Sequence, residues 1–228
     1  MAFAGVLLFQ VIESGMNLMK DYPDCFEEKY CIGSVYGTFP GAVWNGGRAV
    51  FGITGIKDIR AILKLYNDRG VPVRFTWTNS LLEEKHIYDT YCNLIMKEAD
   101  NGMNQVLVNR PVLEEYIRRQ YPGFKLISST TKRITGLDGL LEELNKDYFL
   151  VVLDYDLNHN EEVLSAIGKQ ADKVEILVNE ICYPGCPKRS EHYRQQSQMQ
   201  LEYDIDAAFP CPNKTRERKF EECKERPS

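Results

Sequence analysis

The sequence predicts an α/β fold with a parallel sheet of the barrel-forming kind, and two observations predict it. From about residue 50 onward, amphipathic helical segments alternate with short apolar runs rich in Val, Ile and Leu. Each run stops at polar residues, and these strand ends are Asn79, Asn109, Thr131, Asp156 and Asn179. Because right-handed crossovers set such strands parallel and cover both faces of the sheet with helices, we expect the polar ends to meet at one rim.

The predicted elements follow one another in a regular order. A strand at about 31–36 leads through a Gly-rich stretch to a helix at about 54–68. A strand at 71–77 comes next, and then a helix that runs to Gly102, with Ser80 as its cap and Glu83 at the capping-box position. The remaining elements are strand 105–108, helix 111–120, strand 124–127, helix 137–145, strand 148–153, helix 160–171 and strand 174–178.

The alternation fits both a doubly wound sheet and a barrel. No Gly-x-Gly-x-x-Gly turn and no Gly-x-x-x-x-Gly-Lys segment occurs, which argues against dinucleotide or nucleoside triphosphate binding. Polar residues at every strand end, rather than at one switch point, favour a barrel mouth. Since six strands are predicted and eight close a full barrel, we expect a TIM-barrel-like (β/α) sheet that is incomplete or truncated. We place this domain at residues 1–190 and a polar, cysteine-containing segment at 191–228.

The composition limits the function classes. Asp and Glu number 33 and exceed the 28 Lys and Arg, which argues against a general nucleic-acid-coating role. Residues 1–12 are apolar but lack a preceding positive charge, so they predict a buried strand or helix rather than a signal peptide. No window is long and apolar enough to span a bilayer, so we expect a cytoplasmic protein without a membrane partner. The basic clusters at 188–194 and 214–219 predict solvated surface.

Three carboxylates are candidates for catalysis. Asp154 and Asp156 are two residues apart, so along an extended strand their side chains point the same way. Such a pair can raise the pKa of one carboxylate for acid–base chemistry or hold a cation. The alternative is that Asp156 or Asn158 caps the next turn or helix. Glu180 is the third candidate, at the end of the last predicted strand.

Other polar residues at the predicted rim are candidates for substrate binding. Arg48 follows two glycines and would supply a fixed cation for an anionic substrate, although a lone arginine is more often structural. The candidate substrate-binding residues are Arg48, Asn79, Asn109, Thr130, Asn179 and Arg189.

The cysteines predict ligation of a metal or cluster. The seven cysteines form an odd set, which fits a disulfide framework poorly. Cys182 and Cys186 flank a tight turn at Pro184-Gly185, and thiolates bind soft metals and iron–sulfur clusters well. Cys211 and Cys223 would bring the number of ligands to four, enough for a closed site. The alternative is that these cysteines are free or partly buried thiols.

The last predicted strand carries a family resemblance. The segment from Val174 to Glu180, followed by Cys182, Pro184, Cys186, Pro187 and Arg189, resembles the collagenase-like peptidase family, peptidase family U-32. The strand that ends at residues 128–131 looks like the strand of that family that ends in Ser-Thr-Gln, with Thr131 in place of the Gln. The likeness covers roughly residues 70–195 in the order of elements, and the cysteine spacing differs from the family's.

The resemblance implies a TIM-barrel core with an iron–sulfur cluster on four cysteines. Cys182 and Cys186 would be the first ligands, and Cys211 and Cys223 the later ones. Members of the family are described as proteases or as oxygen-independent hydroxylation factors for RNA or quinone precursors.

Three functions are therefore expected as alternatives. The first is redox modification of RNA or a small molecule with an iron–sulfur cluster. The second is a peptidase or other hydrolase that depends on a metal, with zinc as the alternative cofactor, or on a carboxylate. The third is a non-catalytic subunit of a hetero-oligomer, and a homo-oligomer is the other assembly that stays open.

Overall fold

The computed structural model describes residues 14–27, 31–178, 182, 184–207 and 211 of the 228-residue chain. The strand or helix predicted at 1–12 lies outside these residues. A helical segment at 14–21 comes first, and its Met16 packs against the hydrophobic core.

Six strands form one parallel sheet in the order of the chain. Neighbouring strands pair in parallel throughout, with Phe75 opposite Val106 and Ile127 opposite Leu150 as examples of the register. The strands are β1 (Val35–Gly37), β2 (Val73–Trp77), β3 (Gln105–Val108), β4 (Lys125–Ser128), β5 (Leu150–Val152) and β6 (Val174–Glu175). The predicted α/β fold with an incomplete parallel barrel is confirmed.

Helices separate the strands. Each of the first five lies between two consecutive strands and buries an apolar face, as Ile59, Leu63 and Tyr66 do in the first. The helices are α1 (Ile56–Asn67), α2 (Thr90–Ala99), α3 (Pro111–Gln120), α4 (Leu137–Leu144), α5 (Glu161–Ile167) and α6 (Arg189–Glu202), which follows β6. Within the described residues, no helix has both the length and the apolarity that crossing a membrane requires.

The sheet is strongly curled, and one ion pair demonstrates it. In β2, Phe75 and Trp77 belong to the core beneath the helices, so Arg74 faces the opposite, concave side. The Nη1 atom of Arg74 lies 2.6 Å from a carboxylate oxygen of Glu175 in β6, and Nε donates to Gln105 at 2.9 Å. In a flat sheet, the four strand spacings between β2 and β6 would amount to about 19 Å. The Arg74–Glu175 pair therefore links strands that only a half-barrel brings together.

The helix predicted from Ser80 is wrong in its first half. A short 3-10 turn occupies Glu84–His86, and α2 begins at Thr90 with Asp89 as its cap, whose carboxylate accepts from the Cys92 N–H at 2.7 Å. Ser80 does not cap this helix, because α2 begins well after it and its hydroxyl lies 3.1 Å from that of Ser197. The predicted cap residue therefore makes a tertiary contact with α6, which the local sequence does not reveal.

The other helix that differs from its prediction is α5. It ends at Ile167, and a 3-10 turn (Gly168–Lys173) replaces the last turn of the predicted helix 160–171. Gly168 has a φ of 43°, a left-handed conformation that an α-helix cannot continue through.

Helix α6 was not predicted, and it lies across the carboxyl ends of the strands. The expectation of solvated surface at 188–194 is wrong for Arg189, which is 2% exposed. Farther along α6, Ser197 and Gln200 are also buried, against the segments that follow β2 and β1. The predicted division between residues 190 and 191 falls inside this helix and stays a prediction.

Candidate functional site

An ion-pair network occupies the rim at the ends of β4 and β5. Arg133 follows a 3-10 turn after β4, and its φ of 58° lies in the left-handed region that non-glycine residues rarely adopt. This turn places its guanidinium on Asp154 after β5, where Nη1 lies 2.8 Å from Oδ1 and 2.7 Å from Oδ2. Because the Asp154 side chain is 1% exposed, Arg133 balances a carboxylate that is almost completely removed from water.

Asp156 connects this network to the segment after β6. Its Oδ2 lies 3.1 Å from Nη2 of Arg133. Its Oδ1 accepts a hydrogen bond of 2.8 Å from the N–H of Gly185 and lies 3.3 Å from Nη2 of Arg189. Two carboxylates and two guanidinium groups therefore hold three separate segments of the chain together.

The two carboxyl groups differ in their pKa shifts. Burial raises the pKa of Asp154 above its ordinary value, against the opposing effects of the Asp156 N–H and Arg133. Burial also acts to raise the pKa of Asp156, but the N–H of Gly185 and the guanidinium groups of Arg189 and Arg133 lower it overall. The direction for Asp154 is the one that the sequence suggested for a carboxylate pair, although burial is its main cause.

The residue that caps the turn after β5 is not one of the two that the sequence analysis named as possible caps. Asp154, rather than Asp156 or Asn158, caps the turn Tyr155–Leu157 by accepting from the Asp156 N–H at 3.0 Å. The carboxylate pair therefore has both an ion-pair role and a capping role. The third predicted carboxylate, Glu180, lies outside the described residues, as does Asn179.

The network supports a loop with two cysteines, here called the cysteine loop, whose described residues are Cys182 and 184–186. Arg189, the first residue of α6, hydrogen-bonds the side chain of Cys182, and its N–H donates to the carbonyl of Cys186 at 3.2 Å. Cys186 is buried and Cys182 is half-buried. With the Asp156–Gly185 hydrogen bond, three contacts hold the cysteine loop at the rim, and one of them is made to a cysteine side chain, that of Cys182.

The predicted metal ligands are brought together only in part. Cys182 and Cys186 share one loop, Cys211 is half-buried, and Cys223 lies outside the described residues. In the part of the chain that the structure describes, no three His, Cys, Asp or Glu side chains are grouped as a metal site would require. The thiols thus fit a soft metal or iron–sulfur cluster in kind. Three of the four expected ligands are among the described residues, and two of these, Cys182 and Cys186, share the cysteine loop.

The predicted substrate-binding residues fall into two groups. Asn79 is completely buried, and its side chain bonds the backbone of Val43, Leu81 and Ser197. Arg189 is buried within the ion-pair network, so both residues hold the fold together. The second group is accessible: Arg48 is exposed, and Asn109 and Thr130 are half-buried.

Sequence reasoning missed Arg133 and the polar face of α6. Arg133 lies two residues beyond the last polar strand-end residue of β4, and only that position after a strand could have marked it. In α6, the side-chain amide oxygen of Gln200 accepts from the Val50 N–H at 2.6 Å, and that of Gln196 accepts from the Ala49 N–H at 2.9 Å. The sequence of α6 has no regular spacing of apolar residues that would mark this packing face, because its partners are backbone groups of the β1–α1 segment.

A second network, behind the rim, makes stability depend on pH. Glu143 in α4 is buried, which acts to raise its pKa, but hydrogen bonds from Lys132 (2.6 Å), Lys146 (2.8 Å) and Ser128 (2.5 Å) lower the pKa to about 2. A lowered folded-state pKa adds stability above the ordinary value of 4.5, and this stability is lost as the pH falls towards 2. The shift corresponds to about 3 kcal/mol near neutral pH.

We therefore expect Glu143→Gln to destabilise the protein near pH 7 and to cost less than half as much at pH 3. Urea unfolding of both proteins at the two pH values measures this difference. Glu142→Gln is the matched control, because the Glu142 side chain is 76% exposed, and it should show no such dependence. A cost of Glu143→Gln that is equal at both pH values would contradict the assignment.

The comparisons with known proteins agree with this architecture. No family model matches the chain. A protein of Methanocaldococcus jannaschii, named as an uncharacterized protease, is 25% identical over 164 residues, which cover 70% of this chain and 48% of that protein. The solved structure of the U32 peptidase Mk0906 superposes with a TM-score of 0.56 at 17% identity, over 83% of this chain and 77% of that one. The resemblance to peptidase family U-32 is confirmed.

This resemblance to family U-32 extends over the half-barrel. The chain spans about half the length of the curated relative that it matches. The structural likeness at 17% identity concerns the fold. Activity, substrate and cofactor therefore have to be argued from the rim residues themselves.

Proposed function

We propose that the chain performs its chemistry at the cysteine loop, where Cys182 and Cys186 are the first ligands of an iron–sulfur cluster used in redox modification of RNA or a small molecule. The observation that carries this proposal is the fixed position of the loop that contains the two thiols. Asp156 holds the Gly185 N–H at 2.8 Å, and Arg189 contacts both Cys182 and Cys186.

The free energy needed to bury the charged groups of this network supports a functional role for the cysteine loop. Removing Asp154 and Arg189 from water costs several kcal/mol per ion before their mutual attraction is counted. A loop needs no such support for its own stability, because loops ordinarily lie on the surface and tolerate change. A buried charge network that holds a loop with two thiols is therefore best explained by a requirement for the geometry of that loop.

The chemistry of the surroundings suits thiolate ligands. Soft sulfur donors prefer iron–sulfur clusters and other soft metals, and a neighbouring guanidinium stabilises the thiolate form that binds them. In this proposal Arg189 orients the Cys182 sulfur, while Asp154 and Asp156 hold the guanidinium groups in place. Cys211 and Cys223 complete the ligand set, and the bound cluster would supply electron transfer.

The first prediction for this site concerns the isolated protein. We expect anaerobic purification to yield a brown protein that contains iron and sulfide and absorbs at about 400 nm. Cys182→Ala and Cys186→Ala should each lose most of the iron, whereas Cys25→Ala, which changes an exposed cysteine, should retain it. A wild-type protein that stays colourless and iron-free after anaerobic reconstitution would overturn the proposal.

A peptidase is the second candidate, because the curated relative is named as a protease and the solved structure as a peptidase. Here zinc or a carboxylate would activate water, and the cysteines would be structural. Bound zinc together with peptide cleavage that is lost on Glu180→Gln supports this candidate. Iron and sulfide in place of zinc, with no peptide cleavage, exclude it.

A further inference from the structure

We propose that the rim contains a site for an oxyanion, formed by Arg48, Gly47, Asn109 and Thr131, which recognises a phosphate or carboxylate group of the substrate. The inference deepens the proposed function, since it assigns a charge to the substrate that meets the cysteine loop. Its residues come from the segments that follow β1, β3 and β4, which lie on the same side of the sheet.

The β1–α1 segment rests directly on the neighbouring strand ends. A Cβ atom on Gly46 would lie 2.4 Å from the carbonyl oxygen of Thr78, so only glycine permits this approach. Gly47 has a φ of 77° and faces two threonines. A Cβ on Gly47 would lie 3.8 Å from Cγ2 of Thr131 and 4.0 Å from Oγ1 of Thr78. Gly47 is thereby placed beside Thr131, which follows β4, and Arg48 is the next residue of the same segment.

Hydrogen-bond donors gather next to this glycine. Nδ2 of Asn109 donates to Oγ1 of Thr131 at 2.9 Å, and Oγ of Ser129 lies 2.9 Å from the same Oγ1. The side-chain amide of Asn109 carries two hydrogens, and the second one has no acceptor among the described residues. Asn109 and Thr131 are both half-buried, so a ligand at the rim can reach their donors.

Arg48 supplies the positive charge. Its side chain is exposed, and no carboxylate in the described part of the chain forms an ion pair with it. By contrast, the guanidinium groups of Arg74, Arg133 and Arg189 are all balanced by carboxylates. A guanidinium without an ion pair, on the residue that follows Gly47, suits an anion with two oxygens, which it can bind in a bidentate manner.

The backbone that carries Arg48 is held rigidly. Asn45 donates to the carbonyl of Arg48 at 2.6 Å. Immediately after it, Ala49 donates to Gln196, and Val50 donates to Gln200, both in α6. Since the scaffold is in place before a ligand arrives, little ordering of the backbone opposes binding.

Calorimetric titration tests the site with defined probes. One pair of probes is adenosine 5′-monophosphate and adenosine, and the other is the dipeptide Ala-Ala and its C-terminal amide. We expect at least one anion to bind about tenfold more tightly than its neutral partner. The reason is that a hydrogen bond to a charged group contributes more free energy than a tenfold change in affinity requires. The pair that shows the difference identifies phosphate or carboxylate as the preferred group.

Variants locate the binding at the proposed residues. Arg48→Gln should weaken the anion about tenfold and leave the neutral probe unaffected. Arg119→Gln, which changes an exposed arginine in α3, should alter neither. Equal binding of anion and neutral partner, no binding of either anion, or unchanged affinity in Arg48→Gln would each overturn the site. Iron content is measured separately, so a failure of the cluster proposal is distinguishable from a failure of this one.

Discussion

Glu175→Gln is expected to lower the free energy of unfolding by about 3 kcal/mol, because it leaves the buried guanidinium of Arg74 without its counter-charge. The Arg74 side chain is 6% exposed and lies 2.6 Å from Glu175 across the concave face of the half-barrel. Gln105 accepts from Nε of Arg74, but an amide oxygen does not replace a carboxylate. The change therefore acts on the contact that links β2 to β6.

Urea unfolding measures this effect, with the fluorescence of the two buried tryptophans as the signal. The matched control is Lys64→Gln, which breaks the Lys64–Asp68 pair on the surface of α1, where both side chains are exposed. Surface pairs contribute little, so this variant should unfold like the wild type. Adding Arg74→Met to Glu175→Gln should restore part of the loss, since it removes the unpaired charge. A loss in Glu175→Gln no larger than the control's contradicts the interpretation.

Arg133→Met is expected to cost about 3–5 kcal/mol, and to loosen the cysteine loop as well. It removes both short contacts to Asp154, whose remaining guanidinium partner, Arg189, lies 4.0 Å away. It also removes a contact to Asp156, the residue that holds the Gly185 N–H. The stability of the rim and the position of the thiols should therefore change together.

Two measurements separate these consequences. Urea unfolding reports the loss of stability. The loosening of the loop is reported by the rate at which Ellman's reagent modifies Cys182 and Cys186 under native conditions, in a protein whose exposed Cys25 and Cys31 are replaced by Ser. Arg60→Met is the matched control, because Arg60 is an exposed arginine in an ion pair with Glu98. We expect unchanged thiol reactivity in the control and faster modification in Arg133→Met. Destabilisation without any change in thiol reactivity would show that the network does not position the loop.

The elements that the sequence predicted well are those set by local forces. Strand β3 and helix α3 begin and end where apolar periodicity and Pro111 place them. The polar strand ends are likewise readable, because parallel strands share one direction and so bring Asn109, Thr131 and Asp154 to the same rim. The helix expected from Ser80 begins only at Thr90, where Asp89 caps it, and Ser80 instead contacts Ser197 of α6.

Several residues of the candidate site were predicted, but the ion pairs between them were not. Asp154, Asp156, Cys182 and Cys186 are identifiable from residue type and spacing. Arg133 as the partner of Asp154 is not, since 21 residues separate them and no sequence period relates a turn after one strand to the end of the next.

The sequence by itself determined the six parallel strands, their polar ends and the cysteine pair, because each depends on the chemistry of neighbouring residues. Only the tertiary structure decided that the sheet curls enough for Arg74 to reach Glu175, and that α6 lies across the rim. It also decided that the cysteine loop is held by buried charges, through Asp156 and Arg189. Ion pairs and hydrogen bonds between distant segments depend on distances in space, and a linear pattern of residue types does not contain those distances.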